Sequence, residues 1–303
     1  MNLRLGTRGS ALALAQSRLV AARIGRDVEL VEISTAGDRS TAPVQRLGVG
    51  VFVSALRDAL LAKEIDVAVH SYKDLPTADP DGLVVAAVPT REDPRDALVA
   101  SGGRTLTELA AGARIGTGSI RRIAQLEALG RGFTCVPIRG NVDTRLRKVA
   151  DGELDAVVLA RAGLTRLGRA AEATEILDPM LMLPAPAQGA LAVECRAVDT
   201  DLVEELAAAL DDPMTRAAVD AERALLAALE AGCSAPIAAL ADVSDDDEIY
   251  LRGAVFSPDG GFAVRLSRTG TPAGAREVGR QLAADLLAAG ADSVVGVPHD
   301  PHP

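Results

Sequence analysis

ARIGTGSIRRIAQLEALGRGFTCVPIRGNVDTRLRKVADGELDAVVLARAG, residues Ala113 to Gly163, decides the fold. Short apolar runs alternate with helix-like stretches in it. ARIGTGS leads into SIRRIAQLEALG, FTCVPIRG into NVDTRLRKVADG, and DAVVLARAG into LTRLG. This alternation is the signature of βα units. The same rhythm occupies the start of the chain. LRLGTR precedes the helix-like ALALAQSRLVAARIG, with Ser10 placed to cap it, and VELVEIST, FVSALRDALLAKE and DVAVHS follow. Two successive βα sets predict two parallel-sheet α/β domains with ligands at the strand ends. REDPRDALV and LPAPAQGALAVECR, both rich in proline or charge, read as two crossings between a hinged pair.

From Pro213 the pattern changes. MTRAAVDAERALLAALEAG predicts a long helix stopped at Gly232. IAALADV, EIYLRGAVFSP and FAVRLSRTG then read as strands separated by SDDDE and PDGG, and AREVGRQLAADLLAAG and SVVGV as a closing helix and short strand. This is a small α+β domain with an antiparallel sheet.

At 303 residues the chain has room for two or three domains. Aromatics make up only 2% and tryptophan is absent, so Ala, Val, Leu and Ile must build the core. The net charge of −10 argues against nucleic acid or an anionic membrane as the main partner. Arg8, Gln16 and Arg18 interrupt any signal core near the start, and no run approaches the roughly 18 apolar residues of a membrane helix. A cytoplasmic location is expected.

The three cysteines, Cys135, Cys195 and Cys233, are odd in number and widely spaced, with no CxxC pair. His70, His299 and His302 lie far from them, so neither a disulfide framework nor a metal site is expected. Cys135 and Cys195 fall in strand-like runs as small hydrophobes. Cys233, in LEAGCSAPI, sits where a helix hands over to a sheet, which leaves it open as a filler or a nucleophile.

The cations fall at informative places despite the acidic total. Arg8 ends the first strand and Lys73 follows DVAVHS. Arg121 and Arg122 open a helix after GTGS, Arg139 ends a strand, Arg145 lies one turn on, and Arg166 follows DAVVLARAG. Strand ends and helix starts are where α/β sheets bind ligands, and the guanidinium fork matches carboxylate or phosphate. Any one of them alone reads as a surface charge; as a set they predict a cleft for a polyanion. In VHSYKDLP, Asp74 follows Lys73 in a proline-stopped turn. It either satisfies turn backbone or, as a carboxylate beside cations, stabilises developing positive charge. His70 reads as a packing or locally bonded residue. GVGVFV lacks the glycines and lysine of a nucleotide loop, and GTGS alone is a weak anion signal.

GTRGSALALAQ, DVAVHSYKDLPT, REDPRDALV, IGTGSIRR, RGNVDTRL, AGLTRLG, LPAPAQGALAVECR and LEAGCSAPI occur in this order along essentially the whole chain. With these motifs the chain resembles the porphobilinogen deaminase (hydroxymethylbilane synthase) family. The resemblance implies two hinged, periplasmic-binding-protein-like α/β domains, residues 1–92 with 188–210 and residues 93–187, plus a small α+β domain, 211–303. It implies a dipyrromethane cofactor joined by a thioether to Cys233, and a monomer. The activity implied is the head-to-tail condensation of four porphobilinogens, with loss of ammonia, to hydroxymethylbilane. By motif position Asp74 is the catalytic carboxylate, and Arg8, Lys73, Arg121, Arg122, Arg139, Arg145 and Arg166 bind substrate and cofactor carboxylates. Ser71, Thr117, Ser119, Gln188 and Phe52 support them. Val49 stands where the family often has a loop lysine, Ala231 where a glycine precedes the cysteine pair Gly232-Cys233, and Tyr72 where Met or Leu is common. A non-enzymatic anion-binding module would need a secretion signal and no domain presenting a thiol, and neither fits.

Overall fold

A computed structural model of the protein describes residues 2–34, 53–78, 80–229 and 236–294. The chain divides into two compact units, Met1–Glu92 with Gly189–Arg216, and Asp93–Gln188 with Ala217–Pro303.

The first unit is built on a five-stranded sheet of order β2-β1-β3-β10-β4. β1 (Leu3–Thr7), β2 (Val28–Glu32) and β3 (Val67–Ser71) are parallel, while β10 (Leu191–Arg196) runs antiparallel between β3 and β4 (Leu83–Ala87). Helix α1 (Ala11–Ala21) follows β1, and the Ser10 hydroxyl accepts from Ala13 N at its start, as its position before the helix predicts. Helix α2 (Ser54–Leu61) buries Leu56, Ala59 and Leu60 with Ile65, Ala68 and Leu83. Leu5, Val20, Val67, Val193 and Leu206 form a separate cluster, the last contributed by α6 (Thr200–Leu210).

The second unit repeats this plan with order β7-β6-β8-β5-β9. β6 (Arg114–Gly116), β7 (Thr134–Val136) and β8 (Ala156–Ala160) are parallel. β5 (Asp96–Ala100) is antiparallel to both β8 and β9 (Glu175–Ile176). The sheets are therefore mixed rather than parallel. DALVA, read from sequence as part of a crossing, and LAVECR, read as part of a crossing with a strand-like run around Cys195, are the antiparallel fourth strands β5 and β10. Leaving Glu92 or Gln188 for the other unit, the chain reaches such a strand within a few residues. Helices α3 (Ile120–Ala128), α4 (Val142–Ala150) and α5 (Arg161–Arg166) follow β6, β7 and β8, and Asn141 caps α4 by accepting from Thr144 N.

This unit also carries the antiparallel meander β11 (Ile237–Val243), β12 (Ile249–Phe256), β13 (Ala263–Gly270). One face buries Ala239, Leu251 and Val255 against Leu225 of α7 (Pro213–Leu229) and Leu282 of α8 (Ala275–Ala288). The other face packs Ala238, Leu240, Ala254 and Phe256 on Ala124 of α3 and on Leu183. Gly260, at φ +70°, makes this approach possible. A Cβ there would lie 2.5 Å from Ala128 N and 2.6 Å from Ala124 O, so no side chain fits. α7 is described as far as Leu229, and the Gly232 stop and most of SVVGV lie outside the described residues.

Candidate functional site

In the first unit the predicted groups gather at the C-terminal ends of β1 and β3. Arg8 follows β1, half-buried. Ser71 closes β3, and a single 3-10 turn, Tyr72–Asp74, follows it directly. Tyr72 is buried and its N–H donates to Ala190 O at 3.1 Å, while Lys73 and Asp74 are exposed. Gln16 of α1 is also buried here and donates from Nε2 to Ser71 Oγ at 3.0 Å, a partner the sequence reading missed. A pocket of about 460 Å³ lined by Gly9, Ser10, Glu32, Ile33 and Ser34 opens beside the end of β1.

On the opposite face of this sheet stands a buried ionic group. Arg57 of α2 donates to Glu194 of β10, with Nη2 at 2.9 Å from Oε1 and Nε at 3.1 and 3.2 Å from the two oxygens. His70 Nε2 lies 3.3 Å from Glu194 Oε2. It is off the line of a good hydrogen bond, and no other partner for it exists among the described residues. Burial pushes the Glu194 carboxyl up, but His70 and Arg57 outweigh it and hold it below the usual range. His70 is thus locally engaged, as the sequence suggested.

In the second unit the loop after β6 buries Thr117, whose Oγ1 accepts from Ser119 N at 3.2 Å. Arg121 and Arg122 do not stand as open carboxylate contacts. Both are buried, and they close on Asp96, the first residue of β5. Arg121 Nη2 donates to Asp96 Oδ2 at 2.7 Å and its Nη1 to Leu183 O at 2.6 Å. Arg122 Nη2 donates to Asp96 Oδ1 at 2.7 Å and its Nη1 to Val158 O at 2.8 Å. The reason is electrostatic: a carboxylate cut off from solvent needs cations, and Asp96 is fully buried. Burial pushes the Asp96 carboxyl up, yet the two arginines outweigh it and hold it far below the usual range. Gln188 is drawn in as well, donating from Nε2 to Asp96 Oδ1 and to Pro94 O, each at 2.8 Å. Asp96 was legible only as a charge in REDPRD; its place at the head of the apolar run DALVA is the signal that could have found it.

Gln188 follows a strained residue. Ala187 adopts φ +61°, unusual for a residue with a Cβ, and its N–H donates to Glu222 Oε2 at 2.6 Å. The other oxygen of Glu222, buried on α7, accepts from Ala241 N of β11 at 2.8 Å. One carboxylate therefore ties α7 to the segment before Gln188 and to the meander.

Arg139, Arg145 and Arg166 are half-buried at the ends of β7 and β8 and their following helices. Arg145 Nε donates to Gly140 O at 2.9 Å. Burial lowers its pKa, and the adjacent Arg122 and Arg139 lower it further. Guanidinium groups at these strand ends are of the kind whose planar fork matches carboxylates. Cys233, Phe52 and Val49 lie outside the described residues. The ends on either side of the cysteine segment, Leu229 and Ile237, are both buried in the meander's core. Among the described residues no cluster of His, Cys, Asp and Glu could hold a metal ion, and no helix is long and apolar enough to cross a membrane.

Residues 3–204 match the porphobilinogen deaminase dipyrromethane cofactor binding domain, and residues 216–288 the C-terminal domain of the same enzyme. The chain belongs to the porphobilinogen deaminase family. It is 60% identical over 302 residues to a porphobilinogen deaminase of Nocardia farcinica, covering 95% of this chain and 86% of that one. It is 55% identical over 311 residues to one from Mycolicibacterium paratuberculosis, covering 99% and 98%. Among solved structures it is similar to the second substrate binding domain of a putative amino acid ABC transporter from Streptococcus pneumoniae. There the TM-score is 0.41 and the identity 13%, covering 69% of this chain and 91% of that one.

Proposed function

We propose that Asp74 and Cys233 carry the chemistry of this family in this chain, Asp74 as the catalytic carboxylate and Cys233 as the attachment point of the cofactor. The enzyme condenses porphobilinogen head to tail, with release of ammonia, into the linear tetrapyrrole hydroxymethylbilane, and it uses a dipyrromethane cofactor. When bound, that cofactor supplies the free pyrrole carbon from which the chain grows.

The chain's own residues bind, hold and stabilise. Each pyrrole ring brings an acetate and a propionate, and Arg8, Lys73, Arg139, Arg145 and Arg166 bind them. Arg121 and Arg122 direct their Nη groups to Asp96 and backbone carbonyls, so they act on the ligand mainly through charge. Asp74 stands exposed at the end of a short turn, where its carboxylate stabilises the cation left on the substrate when ammonia departs. Ser71 is fixed by Gln16, Thr117 orders the Ser119 turn, and Gln188 supports Asp96. Phe52 belongs to the same set by motif position.

Three domains, 1–92 with 188–210, 93–187 and 211–303, a monomer and a cytoplasmic location complete the reading, with neither nucleic acid nor membrane as a partner. The observation that carries it is the match of residues 3–204 and 216–288 to the two domains of porphobilinogen deaminase, and half-buried cations at the strand ends, Arg8, Arg139, Arg145 and Arg166, suit a polycarboxylate. The test is direct. Purified protein given porphobilinogen releases one ammonia per substrate consumed and yields the linear tetrapyrrole; substrate bound without ammonia release would refute it.

A further inference from the structure

Gln16 and Ser71 meet where α1 lies on the first sheet. Val20 of α1 and Val69 of β3 share a core cluster. Gln16 is one turn before Val20 on the same face of the helix, and Ser71 is two residues after Val69 on the same face of the strand. The two polar side chains thus continue the apolar contact by one step toward the strand end, where Arg8, Lys73 and Asp74 also stand. Gln16 is only 4% exposed. Burying an amide costs free energy that an apolar side chain of the same length avoids, so its presence is explained by what it bonds. Among the described residues its side-chain amide has one partner, Ser71.

Ser71 Oγ accepts from Gln16 Nε2 at 3.0 Å, an ordinary N–H to oxygen bond. The other contact, from Ser71 Oγ to Gln16 Oε1, is 3.4 Å, long for a hydroxyl donor. A hydroxyl has one hydrogen and two lone pairs. The amide N–H takes one lone pair and fixes the oxygen, while the hydrogen is held only by the long contact. It turns to a better acceptor at little cost. A carboxylate is such an acceptor, because hydrogen bonds to ionised oxygens are shorter and stronger.

We infer that Gln16 is a positioning residue: by donating to the Ser71 oxygen it leaves the Ser71 hydrogen to donate to a carboxylate of the incoming porphobilinogen. This rests on, and deepens, the reading of Ser71 as a ligand contact. Cations attract a carboxylate from any direction; Ser71 adds a directed donor, and Gln16 sets its direction from beneath without touching the ligand.

The test uses the full-length, cofactor-loaded enzyme and compares Gln16→Met, Gln16→Leu, Ser71→Ala and the double variant of Gln16→Met with Ser71→Ala. Intact mass reports loading, thermal unfolding reports the fold, and kcat and KM for porphobilinogen are taken per loaded molecule. Losing a hydrogen bond that is made equally in the ground and transition states raises KM and spares kcat. Ser71→Ala therefore raises KM about 10-fold or more, with kcat within about threefold. Gln16→Met and Gln16→Leu show the same split, with KM rising about fivefold or more. The double variant is no worse than Ser71→Ala alone, because Gln16 acts through Ser71. A parental KM in the Gln16 variants overturns the proposal. Losses that multiply in the double overturn it too, since Gln16 would then touch the ligand itself. Two apolar replacements keep the question decidable where one of them fails to fold. Ser71→Ala separates the two readings. If it keeps the parental KM, Ser71 is no ligand contact and this inference falls with that reading; if it is impaired while both Gln16 variants are parental, only the positioning role falls.

Discussion

Gln188 donates from Nε2 to Asp96 Oδ1 at 2.8 Å, joining residues 92 positions apart in the sequence. The same carboxylate binds Arg121 and Arg122, so one dry anion faces two cations and an amide. Removing the anion leaves both guanidiniums buried without compensation. Asp96→Asn should therefore cost about 3–5 kcal/mol, read as a lower urea midpoint. An unchanged midpoint would mean that other groups hold the arginines.

Attachment at Cys233 has a simple signature. The intact mass of the purified enzyme should exceed that of the chain by a dipyrromethane, and Cys233→Ser should return it to the bare chain. An active parent with the bare mass would sink the assignment.

Asp74 is exposed, so its replacement should spare the core. Asp74→Asn should load cofactor and unfold like the parent, while turnover falls about 10²- to 10³-fold. Retained turnover would remove it from the mechanism.

The remaining thiols should be silent. Burial first, then the nearby Glu127, pushes the Cys135 thiol up to about 12; burial, then Asp199, pushes Cys195 up to about 11. A raised thiol pKa means little thiolate at pH 8, and thiolate is the reactive form. Folded Cys233→Ser protein should then react with a maleimide only on unfolding. Rapid labelling of the native variant would contradict this.

Acid should weaken the first unit at a predictable point. Burial pushes Asp66 up, but Arg4 and Arg196 hold its carboxyl below the usual range, as Arg57 and His70 do for Glu194. A depressed folded pKa gives stability that is fully present above the unfolded value, about 4, and is lost as pH falls through the folded one. Tm should stay level from neutral pH to about 5 and drop below about 4, less steeply in Asp66→Asn. A parallel decline in both proteins would show that Asp66 is not responsible.

Helices and outer strands were legible because their signals are local. Ser10 before ALALAQ, Asn141 before VDTRL and the turn residues between β11, β12 and β13 each declare an end. The antiparallel direction of β5 and β10 was not legible, since direction is set by a partner far along the chain. The positions of Arg8, Lys73 and Asp74 at strand ends followed from the βα rhythm. The inward turn of Arg121 and Arg122 did not, because nothing near them in sequence announces Asp96. Gln16 and Glu194 were missed for the same reason: each acts through a residue more than fifty positions away.

The meander rests directly on α3, closely enough that Gly260 has no room for a side chain. Both ends of the cysteine segment are thus rooted in the body that carries Arg121 and Arg122. With the attachment proposed at Cys233, the product would lengthen away from the body that carries Arg121 and Arg122, so its own length would be the enzyme's ruler.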